Sequence, residues 1–153
     1  MALRAVRQRS MTYERVHTIW DLYDGIRTGI ADLNGAPHYF ASQFDERADD
    51  YSDNFKLYPV GSEFMERAML NWAIYRAWER RFHSGEAELK THPGHGGIDA
   101  EYDELKLWLD AEVGRLEPLP TLYKAKFREL PGQDDLPGAM LRETEVAWSP
   151  SSA

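Results

Sequence analysis

The chain has 153 residues, 42% of them hydrophobic and 12% aromatic, which suits a single globular domain burying about two-thirds of its unfolded surface. A formal net charge of −8 opposes general nucleic-acid binding, because phosphate contacts need a basic surface. The absence of Cys excludes disulfides, thiolate metal sites and a Cys nucleophile and fits a cytoplasmic protein; no apolar run approaches the ~18 residues of a membrane span, so a soluble, unexported chain is expected.

Residues 1–12 read as a loosely ordered leader carrying Arg4, Arg7 and Arg9. Tyr13 to Tyr23 is rich in β-branched and aromatic residues and predicts a strand that ends at the turn signal Asp24-Gly25. The strongest local signal follows. Leu33-Asn34-Gly35-Ala36 suits a two-residue type I′ turn, because Asn-Gly accepts positive φ at both central positions. That turn fixes a register in which Leu33 opposes Ala36, Ala31 opposes His38, Gly29 opposes Phe40 and Arg27 opposes Ser42. One face then carries Arg27, Gly29, Ala31, His38, Phe40 and Ser42, with the Phe40 ring lying across the bare backbone of Gly29. The other carries Ile26, Thr28, Ile30, Tyr39 and Ala41. Both faces hold apolar residues, which predicts cover on both sides or a curled, barrel-like sheet.

Phe44 to Asp53 reads as an acidic loop, and Asn54 to Val60 as a further strand. A long helix is predicted from Glu63 to His83, with Ser62 as its N-cap and Glu63 against the positive end of its dipole. Its apolar residues wrap more than a third of its circumference, so it should be covered from two directions. The breakers of residues 91–97 mark a loop. Asp99 is the predicted cap of a second helix running to about Leu116, which Pro118 and Pro120 stop. Thr121 to Leu130 alternates as a half-buried strand, Ala139 to Trp148 reads as its returning partner, and residues 149–153 as a disordered tail. The expected architecture is therefore one α+β domain over residues 13–148, an antiparallel, curved sheet of about five to six strands packed with two helices.

Four groups invite a chemical reading. Arg27 and His38 share a face, and with Asp21 or Asp24 brought near they would make a carboxylate–imidazole–guanidinium site for an anionic ligand; the bland account is an Asx-turn at Asp24 with Arg27 paired beside it. His92 and His95, with Asp99 and Asp103 downstream, have a spacing that reaches one metal, but a glycine-rich loop offers no rigid frame, and a solvated loop is the expectation. The acidic run Asp45, Glu46, Asp49, Asp50 and Asp53 lacks EF-hand spacing and reads as a solvated loop or an edge meeting a basic partner. Near the end of the long helix, Trp72, Trp78 and Phe82 with Arg76 and Arg80 read either as dipole compensation or as an aromatic pocket for a planar or anionic molecule.

The segments DLYDGIRTGIADLNGAPHYFASQFDERADDYSD and LKTHPGHGGIDAEYDEL resemble uncharacterised bacterial proteins sharing a D-x-Y-D-G-x-R-x-G-x-A-x-x-x-G-x-P-H pattern. That resemblance implies a bacterial cytoplasmic protein and carries over no functional residue. With abundant aromatic surface and no recognisable nucleophile, metal set or phosphate loop, the leading expectation is a binding protein that holds a small molecule or protein partner through Arg27, His38, Phe40, Trp72 and Arg76. The alternative is a small acid–base enzyme centred on His38 with Arg27 and Asp24. Neither reading calls for a cofactor, a metal, a membrane or a nucleic acid.

Overall fold

The computed structural model describes residues 12–151, so the arginines of the leader and the last two residues of the tail lie outside it. Six antiparallel strands, β1 (Glu14–Leu22), β2 (Ile26–Leu33), β3 (Ala36–Asp45), β4 (Asp50–Pro59), β5 (Tyr123–Glu129) and β6 (Thr144–Pro150), close into a barrel in sequence order. Two helices, α1 (Ser62–His83) and α2 (Ala100–Val113), are inserted between β4 and β5 and lie against the barrel's outer wall. This is the expected α+β fold with a curved sheet.

The Asn-Gly turn sets the register as its chemistry dictates. Leu33↔Ala36, Ala31↔His38, Gly29↔Phe40 and Thr28↔Ala41 are partners, and Asn34 and Gly35 both take positive φ, 54° and 78°. The Glu14 carboxylate accepts from the backbone N–H of both turn residues, at 3.0 and 2.7 Å. Gly29 is required where it stands. A Cβ there would lie 2.2 Å from the Thr18 carbonyl oxygen and 2.9 Å from the Phe40 ring.

Phe40, Phe55, Leu57 and Val146 are buried inside the barrel, with Phe127 and Trp148 packed on them. The rings of Phe40, Phe55, Phe127 and Trp148 meet at 5.7–6.1 Å in tilted and edge-on contacts. A six-stranded barrel is narrow enough for side chains to fill it. Asp32 and Pro37 form a non-hydrogen-bonded pair, so the missing N–H of Pro37 takes nothing from β2, and the outward-facing Asp32 carbonyl accepts from the Trp148 indole at 3.0 Å.

The barrel has two narrow seams. β4 meets β5 only at Asn54↔Lys124 and Phe55↔Tyr123, and β1 meets β6 only at Glu14↔Val146 and Arg15↔Glu145. Beyond Arg15, Trp72 of α1 packs into the same core as Ile19 and Val146. Arg76, one turn on, donates to the Leu141 carbonyl at 2.8 Å and pairs with Glu143 at 3.4 Å, tying α1 to the chain that leads into β6.

Several expected boundaries move. The acidic stretch is mostly strand, because Phe44 pairs with Tyr51 and Asp45 with Asp50, leaving a turn of only four residues; edge-on contact of the two aromatic rings at 5.4 Å favours pairing over a loop. Gly61, not Ser62, is the N-cap of α1, and Ser62 is its first helical residue with no capping bond. Asp99 does cap α2, accepting from the Tyr102 N–H at 2.9 Å. Ala139–Leu141 is a single turn of 3-10 helix, and β6 instead runs on through Ser149 and Pro150, which pair with Lys124 and Tyr123.

Candidate functional site

A crevice of about 330 Å³ lies outside the barrel, between its β1–β2–β3 wall and α2. It continues into a smaller lobe of about 140 Å³ toward α1, and Trp20, Asn71, His92 and Tyr102 line both. Its volume falls at the lower end of small-molecule sites.

The barrel wall of the crevice comes from an irregularity in β1. The register against β2 slips between Ile19↔Gly29 and Asp21↔Thr28, so one residue is extra on the β1 side. A bulge of this kind brings neighbouring side chains, which a regular strand would send to opposite faces, onto one face. Ile19 turns into the barrel core, while Trp20 and Asp21 both line the crevice. Trp20 packs on Tyr39 with ring centroids 5.7 Å apart. Asp21 stands exposed at the rim and accepts from the Thr28 hydroxyl at 2.7 Å.

The facing wall comes from the helices. Asn71, buried on α1, donates to the Tyr102 carbonyl at 3.3 Å and so joins the two helices at the crevice floor. Lys106 and Asp110, one turn apart on α2, form an ion pair at the rim, with Nζ 3.2 and 3.4 Å from the two carboxylate oxygens. The third side is the stretch that carries His92. The Trp78 indole donates to the Thr91 hydroxyl at 2.9 Å, and the Trp78 ring lies 4.6 Å from the imidazole.

The crevice holds its groups in definite protonation states. Burial, then the Asp21 carboxylate, pushes the Tyr39 phenol up to about 12. Tyr102 is raised by burial and by Asp103 and Asp110; Tyr75 is raised by burial and by the hydrogen bond it donates to Glu79 at 2.7 Å. All three phenols therefore keep their protons. His92 is lowered, by burial first and by His95 second, which favours the neutral ring. Its Nδ1 accepts from the Gly94 N–H at 2.9 Å, so the neutral ring carries its proton on Nε2. One donor stands out. The Trp20 indole N–H is closed off from the surface and has no hydrogen-bond partner among the described residues.

Of the residues expected from sequence to bind a ligand, all but Trp72 fall elsewhere, and of the histidine pair only His92 lines the crevice. The pairing of β2 with β3 stops at Thr28↔Ala41 and the register against β1 slips at Arg27, with Ile26 instead packed on the barrel core, so the face that carries His38 is interrupted before Arg27; Arg27 also lies four residues along β2 from Ala31, the partner of His38, or about 13 Å at the rise of a strand. Arg27 donates to the Tyr23 and Asp24 carbonyls at 2.7 and 2.6 Å and stacks on Tyr51, so the Asp24 carboxylate does not pair with it. His38 is buried, with Nδ1 2.7 Å from the Ala36 carbonyl oxygen. The carboxylate–imidazole–guanidinium group is not assembled. Phe40 is sealed in the barrel, and Arg76 is held by Leu141 and Glu143. Trp72 alone of that set reaches the crevice, at its smaller lobe.

His92 departs from the expected solvated loop, being half-buried against Tyr75 and Trp78. His95 stacks on it at 5.4 Å and is exposed; among the described residues no three His, Asp or Glu side chains group to hold a metal ion. Asp103 accepts from the Gly97 N–H and Asp99 caps α2, which accounts for both downstream carboxylates. No described helix is long and apolar enough to cross a membrane. No family model, curated protein or solved structure matches the chain.

Proposed function

We propose that the protein binds a small molecule in the crevice between the outer wall of the barrel and its helices, without a cofactor and as a cytoplasmic protein. The observation that carries this reading is the Trp20 indole N–H, an unpartnered donor beside a cavity. Leaving a buried N–H unmatched costs on the order of 1–3 kcal/mol, a cost that an acceptor reaching it from the crevice would offset. Around it stand π faces, neutral phenol donors and the Asn71 amide, the mixture of apolar walls and a few fixed polar groups that small-molecule sites use. The barrel interior is the less suitable place, since aromatic rings fill it. The absence of Cys fits a reducing compartment.

The test is a fragment screen of the full chain by NMR, with cationic, neutral and anionic members, following the Trp20 indole N–H resonance. Hits should move that resonance saturably, and Tyr102→Ala or Asn71→Ala should weaken them while a hairpin variant such as Arg27→Ala leaves them unchanged. Hits that ignore the crevice variants and follow Arg27 or His38 instead would return the site to the hairpin.

A further inference from the structure

If the crevice is the binding site, its charges select which molecules enter. Three charged side chains stand at its rim: Asp21, Lys106 and Asp110. Lys106 straddles both oxygens of Asp110, so those two cancel locally. Asp21 is left with a neutral partner, the Thr28 hydroxyl, and takes part in no ion pair among the described residues. Among the described residues no other group lining the crevice offers positive charge, because the His92 ring is held toward its neutral form and Asn71, Tyr39 and Tyr102 are neutral. The crevice therefore presents one uncompensated carboxylate.

We propose that the crevice takes a small organic ammonium, a protonated or quaternary amine carried on an apolar or aromatic body. The bulge in β1 places the two halves of that recognition on adjacent residues: Asp21 at the rim faces the charge, and the Trp20 indole beside it, backed by Tyr39, offers π faces. A cation over such faces gains electrostatic attraction in addition to its pairing with the carboxylate. Leu109 and Val113 on α2 supply the apolar wall for the body of the molecule. An organic anion of the same shape meets Asp21 with like charge. A neutral polyol uses the phenols and Asn71 and leaves the carboxylate without a counter-charge.

Three probes with nearly the same body separate these cases: 2-phenylethylammonium, 2-phenylethanol and phenylacetate, titrated into the full chain while the Trp20 indole N–H resonance is followed and assigned by its loss in Trp20→Phe. The ammonium should shift the resonance saturably, the alcohol should bind about tenfold more weakly or worse, and phenylacetate should leave it in place. Asp21→Asn should weaken the ammonium about tenfold, leave the alcohol unchanged and keep the melting temperature, since Asp21 is exposed. Equal binding of the alcohol or the carboxylate, or an Asp21→Asn variant that binds the ammonium undiminished, overturns the ammonium class while leaving the crevice as the site. If none of the three probes moves the resonance, the ammonium assignment falls too, and the wider fragment screen decides separately whether the crevice binds anything.

Discussion

The inside of the barrel and the crevice on its outer wall are both lined with aromatic rings, yet the two regions solve opposite problems. Inside, Phe40, Phe55, Phe127 and Trp148 touch one another, and their one polar atom, the Trp148 indole nitrogen, is spent on the Asp32 carbonyl. Outside, Trp20, Tyr39 and Tyr102 line a cavity, and the corresponding Trp20 nitrogen has no hydrogen-bond partner among the described residues. The same residue types therefore fill space in one place and border a hollow in the other. Packing density separates these roles better than composition does: a filled interior gains dispersion contacts and stability, whereas a lined hollow forgoes them.

The largest expected effect tests the filled side. Gly29→Ala places a methyl 2.2 Å from the Thr18 carbonyl oxygen, a backbone atom that cannot swing aside, and against the Phe40 ring. It should destabilise the fold by about 3 kcal/mol or more, read from the urea midpoint at constant slope. A loss below about 1 kcal/mol would mean that the wall between β1 and β3 yields easily, and the contrast with the crevice would fail.

A smaller effect tests the hollow side. Trp20→Phe removes the unpartnered indole N–H and leaves an aromatic ring against Tyr39. Losing a donor that has no partner relieves a desolvation cost, which offsets the lost ring area, so stability should stay within about 1 kcal/mol of the parent chain. The matching change inside, Trp148→Phe, strands the Asp32 carbonyl and should cost about 2 kcal/mol. Should the two substitutions cost the same in parallel thermal melts, Trp20 would be one more core residue.

The filled side was also the legible side. Asn34-Gly35 is a local instruction, so the register of β2 on β3, and with it Phe40 over Gly29, follows from a four-residue turn. The alternation of β5 places Tyr123, Ala125 and Phe127 toward the core for the same reason, a period of two. The face that joined Arg27 to His38 rested on the same alternation running on along β2 past Thr28, where a slip against β1 interrupts it, and on a nearness that about 13 Å of strand denies. The crevice had no comparable signal. It needs a bulge at Trp20-Asp21 with no Gly or Pro to mark it, and it needs those residues to meet Asn71, His92 and Tyr102, at least fifty positions away, through tertiary packing alone. His92 carried a hint in its spacing to His95, which pointed toward metal chemistry and away from its place beside Tyr75 and Trp78.

The smallest effect concerns that imidazole, and its sign distinguishes a hollow from a solvated loop. Burial and His95 lower the His92 pKa from 6.5 while Glu79 opposes them, so the folded chain binds that proton less readily than the unfolded chain does. Well above pH 6.5 both states are neutral at this position and His92 contributes nothing to the pH dependence. As the pH falls below 6.5 the unfolded chain takes up the proton first, and stability declines through the window between 6.5 and the lowered folded value before levelling off. His92→Gln lacks this term, so the melting temperature of the parent chain should fall relative to the variant as the pH drops from about 7.5 to about 5. The His92 ring proton should titrate by NMR with a midpoint below 6.5. An ammonium in the crevice would displace water and add positive charge nearby, and should push that midpoint lower still. A midpoint near 6.5 would place the ring in water, as the sequence alone had it, and one above 6.5 would mean that Glu79 outweighs burial; either would remove the buried wall of the crevice.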